Sequence, residues 1–277
     1  MNRIQYKKPL TIDEQIEYLK NIKHVVFIEI SEEKAKNILY ENNYINVITP
    51  YKHLFAKTDI EGITIRDAQG KHIYEQDTDF TEYNNAYHAE RDNYSEMFSN
   101  ISKFESTLNS ILSNETILYY SINSREKFDY FMKQLLKNIN SFPVKNQNSK
   151  QFRGYSGKTL QHMRNEISSM LSHMEKYEDI YIFMDRLSLS ELITVFRCLD
   201  LQLRSRIFKE LAIRNLTFDY QNFSSFDIFL TRIAPIRNCI CHHNSLEILI
   251  NYYDIKNHSM RTEKDRKIMN NVINRLK

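Results

Sequence analysis

Tryptophan is absent from the sequence, and glycine and proline occur only four times each in 277 residues. A chain so poor in turn formers and helix breakers excludes a turn-rich sheet protein and points to long helices. Cysteine is almost as scarce. Cys198, Cys239 and Cys241 form an odd count with no framework spacing, which excludes a secreted domain built on disulfides. No apolar run reaches the roughly 18 residues that a bilayer requires, and the opening MNRIQYKKPLTIDEQ lacks the apolar core of a secretory signal. The expected setting is the cytoplasm, with reduced thiols and no membrane association. A glycine-rich phosphate loop, a dinucleotide fingerprint and a paired-carboxylate metal signature are all missing, so no cofactor and no metal are expected.

What the sequence does hold is apolar content of 42%, ample for a buried core, and charged content of 26%. The net charge of +3 is too small to declare a nucleic-acid partner by itself. Its distribution says more. Between Asp129 and Glu166 there is no acidic residue, while Lys133, Lys137, Lys145, Lys150, Arg153, Lys158 and Arg164 are all basic, with Phe142, Phe152 and Tyr155 among them. Such a tract reads either as a solvated linker or as a track for an RNA backbone, with Phe152 or Tyr155 stacking on bases.

The pattern along the chain is helical. Thr11 with Glu14 forms a capping box for a helix to about Lys23, and Ser31 with Glu32 and Glu33 opens a second helix through about Asn42. ITIRDAQGKHIYEQ, from Ile63, alternates around a glycine turn and predicts a short hairpin. From Thr81 to Ser113, Met97, Phe98, Ile101, Phe104, Leu108, Ile111 and Leu112 keep helical spacing, predicting one long core helix. A helix from Ser124 to Ile139, a loop through Lys158, a capping box at Ser188 and Glu191, and a helix opened by Ser224 with Asp227 follow. Pro235 either kinks that last helix or begins a new one, in which case free backbone N–H groups would lie close to Arg237. These elements divide the chain into 1–80, a helical unit plus hairpin, and 81–277, a helical domain, the two able to form one compact domain.

The densest chemistry lies in PIRNCICHHN, Pro235 to Asn244. On a helix Asn238 and His242 share a face, whereas Arg237 lies about 140° around from His242. Two such helices packed across a twofold axis would bring an arginine and a histidine together on one phosphate. Arginine grips phosphate oxygens bidentately and offsets their charge in a transition state. Imidazole titrates near neutrality and serves as base or acid. RNA supplies its own nucleophile, the 2′-OH, so its in-line cleavage asks for a proton acceptor, a proton donor and charge stabilisation. Asn238 would orient the histidine or the substrate, and His243 is a second imidazole candidate. Glu105, on the edge of an apolar stripe, is either a surface carboxylate or the partner of a buried cation such as Arg237. Cys239 with His242 or His243 could grip a zinc ion, but further ligands are lacking. A second Arg-to-His spacing, Arg66 to His72, crosses the predicted glycine turn, where no helix would hold its groups, and is set aside.

Arg237, Asn238 and His242 resemble the Arg-x4-6-His signature of HEPN ribonucleases. YKKPLTIDEQIEYL, LYENNYINVITPYKHLF, DTDFTEYNNAYHAERDNY, IFMDRLSLSELITVF and RNCICHHN occur in the order seen in the Abi-like (AbiD/AbiF) abortive-infection proteins of bacteria. The resemblance implies an all-α, HEPN-like helical bundle, here with a small N-terminal helical unit and a short β-hairpin. It also implies a role in phage defence. Relatives often read RNxxAHxxRxWN; here Cys241 replaces the alanine, Ser245 or a neighbour replaces the second arginine, and the tryptophan is missing. The expected function is a metal-independent endoribonuclease toxin acting as a homodimer, with Arg237, Asn238 and His242 catalytic. Lys145, Lys150, Arg153, Lys158, Arg164, Phe152 and Tyr155 would hold the RNA, and an antitoxin RNA or protein would restrain the enzyme. The alternatives are a non-catalytic HEPN module that captures a structured RNA, and a zinc-bound interaction protein.

Overall fold

A computed structural model describes residues 9–60, 64–68, 70–141, 157–172, 179–254, 259–260 and 262–277. The chain is all-α, and it folds into two compact units. Unit 1 is Met1–Tyr94 with His243–Ile248, and unit 2 is Ser95–His242 with Leu249–Lys277.

In unit 1, α1 (Ile12–Lys23) starts at the capping box: the Glu14 N–H donates to Thr11 Oγ1 at 3.2 Å and the Thr11 N–H to Glu14 Oε2 at 2.8 Å. Ser31 caps α2 (Glu32–Asn42), and α3 (Tyr44–Val47) follows. Val25–Val26 (β1) pairs in parallel with Thr78–Asp79 (β2). Asp79 then caps α4 (Phe80–Arg91), taking the Thr81 N–H on one oxygen and the Ile28 N–H on the other. Ile16, Leu19, Leu39, Val47, Phe80 and Tyr83 fill the core. The hairpin forms as the alternation predicts: Asp67 N–H donates to Lys71 O at 2.9 Å and Ile73 N–H to Ile65 O at 3.3 Å, around a left-handed Gly70.

The expected continuous helix from 81 is broken. It ends at Arg91 and resumes as α5 (Tyr94–Tyr120), the interruption being Asp92 and Asn93, side chains that compete for backbone hydrogen bonds and favour turns.

Unit 2 contains the rest of α5 with α6 (Arg125–Ser141), α7 (Gly157–Ser172), α8 (Ile180–Asp185), α9 (Leu189–Cys198), α10 (Leu201–Ile213) and α11 (Phe223–Cys241). The chain then runs through α12 (Leu246–Asn251), β3 (Tyr252–Asp254), β4 (Ser259–Met260) and α13 (Glu263–Leu276). The periodic residues of α5, Met97, Ile101, Phe104 and Leu108, are all 0% exposed. Phe104 meets Phe229 edge-on at 5.8 Å and Phe226 at 6.3 Å, which fixes α5 against α11. The capping box at Ser188 and Glu191 forms as expected.

The start of α11 differs from its expectation. Asn222 is the cap, accepting from the Ser225 N–H at 2.9 Å, and Asp227 instead pairs with Arg197. Pro235 begins no new helix. It sits inside α11, so the free N–H groups that a new helix start would place near Arg237 do not arise. Among the described residues no helix is long and apolar enough to cross a membrane.

Candidate active site

The apolar face of α11, with Phe226, Phe229, Leu230, Ile233, Ile236 and Ile240 buried, decides where its polar residues go. Arg237 is left half-buried, and Asn238 and His242 are exposed. His242 caps the helix, its N–H donating to Asn238 O at 3.1 Å. His243 follows with a left-handed φ of 52° and is also exposed. The three motif residues therefore stand at the carboxyl end of α11, where the dipole favours a cation such as protonated imidazole and gives an anion no help. Any phosphate here depends on the Arg237 side chain itself.

Arg237 Nε lies 3.7 Å from Glu105 Oε2 on α5, and that nitrogen has no hydrogen-bond partner. The carboxylate and the guanidinium are thus neighbours, but their contact leaves hydrogen-bonding capacity unused. No hydrogen bond or ion pair among the described residues joins Arg237 to Asn238 or His242. Other arginines of unit 2 are used differently. Arg197, 8% exposed, grips Asp227 in a fork, Nε–Oδ1 2.7 Å and Nη2–Oδ2 2.7 Å, tying α9 to α11. Arg232 lies 3.6 Å from Asp265, and burial lowers its pKa from the usual arginine value.

Of the basic tract, Lys145, Lys150, Phe152, Arg153 and Tyr155 lie outside the described residues, and Lys158 falls in the first turn of α7. Arg164 is half-buried and donates from Nη2 to Ile139 O at 3.1 Å, closing the carboxyl end of α6. Cys198 is buried, and burial pushes its thiol up to about 12 against the opposing pull of Arg204, Arg197 and Arg164, so it is protonated and inert at neutral pH. Cys239 is buried as well. Among the described residues the potential metal ligands that gather are His162, Glu166 and Glu191, a group that includes neither cysteine nor His242. Glu191 is already committed there, its Oε2 to the Ser188 cap and its Oε1 to His162 Nδ1 at 2.6 Å.

Sequence reasoning missed a second cluster, in unit 1. Glu90 Oε2 accepts the Tyr51 hydroxyl and the Ser245 Oγ–H at 2.9 Å, while Oε1 accepts the Glu247 N–H at 2.9 Å. Burial, then the Glu90 carboxylate, raises the Tyr51 phenol above its ordinary range. Arg91 stacks on Tyr87 at 3.6 Å and donates to His243 O at 2.9 Å, and the Tyr94 hydroxyl donates to Asn244 O at 2.8 Å. Ser245 is buried and its hydroxyl is committed to Glu90. The signal was there in AERDNY, a run of charged and aromatic residues on an otherwise amphipathic helix.

Comparison with known proteins adds one match. The family model described as Abi-like protein matches residues 37–246, more than half of the chain and a span that includes Glu90, Arg91, Arg237, Asn238, His242 and Ser245. No curated protein and no solved structure matches the chain.

Proposed function

Because the chain belongs to the Abi-like protein family, which ties it to abortive-infection defence against phage, we propose that it is a metal-independent endoribonuclease of that defence. The observation that carries the reading is the state of the α11 terminus. Asn238 and His242 face solvent, and Arg237 is half-buried beside the Glu105 carboxylate with its Nε without a hydrogen-bond partner.

In the proposed reaction the 2′-OH of one ribonucleotide attacks its own phosphate in line, and the 5′-oxygen leaves. His242 takes the 2′ proton or delivers one to the leaving oxygen, and Arg237 offsets the charge that builds on the phosphoryl oxygens. Asn238 orients the histidine or the sugar. Since nothing among the described residues joins Arg237 to His242, the reading calls for a homodimer in which each copy's arginine meets the other's histidine. Light scattering tests that part, and a strict monomer that still cleaves RNA refutes it. An antitoxin RNA or protein would hold the enzyme in check.

One observation favours the alternative of a non-catalytic RNA binder. With Ser245 or a neighbour in place of the second arginine that members of the family often carry, and Ser245 itself tied to Glu90, the motif has one cation fewer than theirs. Turnover separates the readings. The nuclease shortens an oligoribonucleotide many times per protein and leaves the matching DNA intact, whereas a binder shifts RNA on a gel at low salt without shortening it.

A further inference from the structure

The hairpin of unit 1 brings together the Arg-to-His spacing that sequence alone set aside. Arg66 and His72 face each other as an antiparallel bridge pair across the turn at Gly70, which places their side chains on one face with Cβ atoms about 5 Å apart. The His72 ring lies 6.4 Å from the ring of Tyr74. The Tyr74 hydroxyl in turn accepts from Lys23 Nζ at 2.5 Å, with the ammonium 4.1 Å from the ring centroid. Lys23 is there because it continues the Ile16–Leu19 stripe of α1, and it is only 6% exposed.

Arg66 supplies positive charge here, while burial holds Lys23 at a pKa of about 7. No carboxylate pairs with Lys23 or Arg66 among the described residues, and the charge acting on Lys23 is that of Lys52. The nearby acids are used elsewhere: Glu75 pairs with Lys57 at 2.5 Å, Glu247 with His53 at 3.1 Å, and Asp67 takes the Lys71 N–H. Both ring nitrogens of His72 are buried without a hydrogen-bond partner. The same holds for the hydroxyl of Tyr83, a residue 0% exposed that lies within electrostatic reach of Tyr74. Burial, followed by Arg66, Lys52, Lys23 and His53, lowers the His72 pKa to about 4. Buried polar groups are normally satisfied, so the two unpartnered ring nitrogens of His72, the buried Lys23 amine and the Arg66 guanidinium at the rim describe the imprint of an anion.

We propose that Arg66, His72, Lys23 and Tyr74 form an oxyanion site that takes a phosphate group, carried either by free phosphate or by an RNA backbone. Arg66, exposed at the rim with Nη1 donating to Gly70 O at 2.8 Å, presents its guanidinium; Lys23, held on the Tyr74 hydroxyl, forms the floor; His72 closes one side. The site shares no residue with the α11 motif and does not depend on the nuclease reading.

Titration calorimetry of the full chain with inorganic phosphate tests the proposal, run in an Arg237→Ala background so that a phosphate at α11 is not counted. The expected result is saturable binding that Arg66→Gln and Lys23→Met each weaken about tenfold or more, and that the distant surface variant Lys267→Gln leaves unchanged. Arg66→Gln alters an exposed side chain and Lys23→Met relieves a buried amine, so both variants keep the fold, checked by circular dichroism. Competition by a short oligoribonucleotide assigns the site to RNA phosphodiesters, and its absence assigns the site to free phosphate. No saturable binding, or equal affinity in all variants, overturns the proposal.

Discussion

Two arginine–carboxylate pairs use the same chemistry to opposite ends. In unit 1 Arg91 lies 3.7 Å from Glu90, and in unit 2 Arg237 lies 3.7 Å from Glu105. The first pair is shielded, 13% and 12% exposed, and its carboxylate also receives two hydroxyls and a backbone N–H. Its guanidinium stacks on Tyr87 and donates to the carbonyls of Tyr87 and His243. The second pair is 37% and 23% exposed, and no hydrogen bond completes it. Distance alone does not separate a structural ion pair from a site, and neither does Nε, which lacks a hydrogen-bond partner in both arginines; exposure and the number of other partners engaged do. A shielded, many-partnered cluster holds the chain in place, and a more exposed pair with few partners has room to meet a ligand.

The strongest way to break the comparison is by activity. Arg237→Ala or His242→Ala should lower RNA cleavage by about 10²–10⁴-fold while moving stability by no more than about 0.5 kcal/mol, since both side chains reach solvent. Assays of cleavage and melting on the same preparations check this, and a variant that loses activity only by unfolding contradicts it.

Next in size is Glu90→Ala, which strands the Tyr51 and Ser245 hydroxyls and the Glu247 N–H and should cost about 3 kcal/mol or more in denaturant unfolding. Glu105→Ala should cost far less, and equal costs would erase the distinction between the pairs.

Lys23 gives a smaller effect with a definite sign. Burial depresses its pKa from 10.5 to about 7, so between about pH 7 and 10.5 the unfolded chain holds the proton that the folded chain has lost. Stability contributed at this position therefore rises with pH through that window and is lowest below it. Lys23→Met should flatten the profile and stabilise the protein at pH 7 by on the order of a few kcal/mol, seen by urea unfolding at pH 6, 8 and 10. The smallest effect belongs to Glu105→Gln, which frees Arg237 and should tighten RNA binding by up to about fivefold at low salt. Unchanged or weaker binding would make Glu105 a positioning partner rather than a competitor.

The helices were legible where the sequence carries local signals. The Thr11 and Ser188 boxes and the Met97-to-Leu108 stripe depend on residues three and four apart, and they formed as read. The break at Asp92 and Asn93 was hidden by strong apolar periodicity on its far side, and Asp227 was claimed by a partner, Arg197, that no local window contains. The α11 motif was legible as a spacing, but its place at a helix end depended on Pro235 being carried through the helix interior. Neither the return of His243–Ile248 into unit 1 nor the meeting of Lys23 with Tyr74 leaves a trace within a short stretch of chain.

The account rests most heavily on the chemistry of the cut, and the ends of the RNA report it directly. Purified protein incubated with an oligoribonucleotide in EDTA should leave a 2′,3′-cyclic phosphate on one fragment and a 5′-OH on the other, and the Arg237→Ala, His242→Ala double variant should leave the RNA whole. Cleavage that needs a divalent ion, fragments ending in 3′-OH and 5′-phosphate, or equal cleavage by the double variant would contradict it.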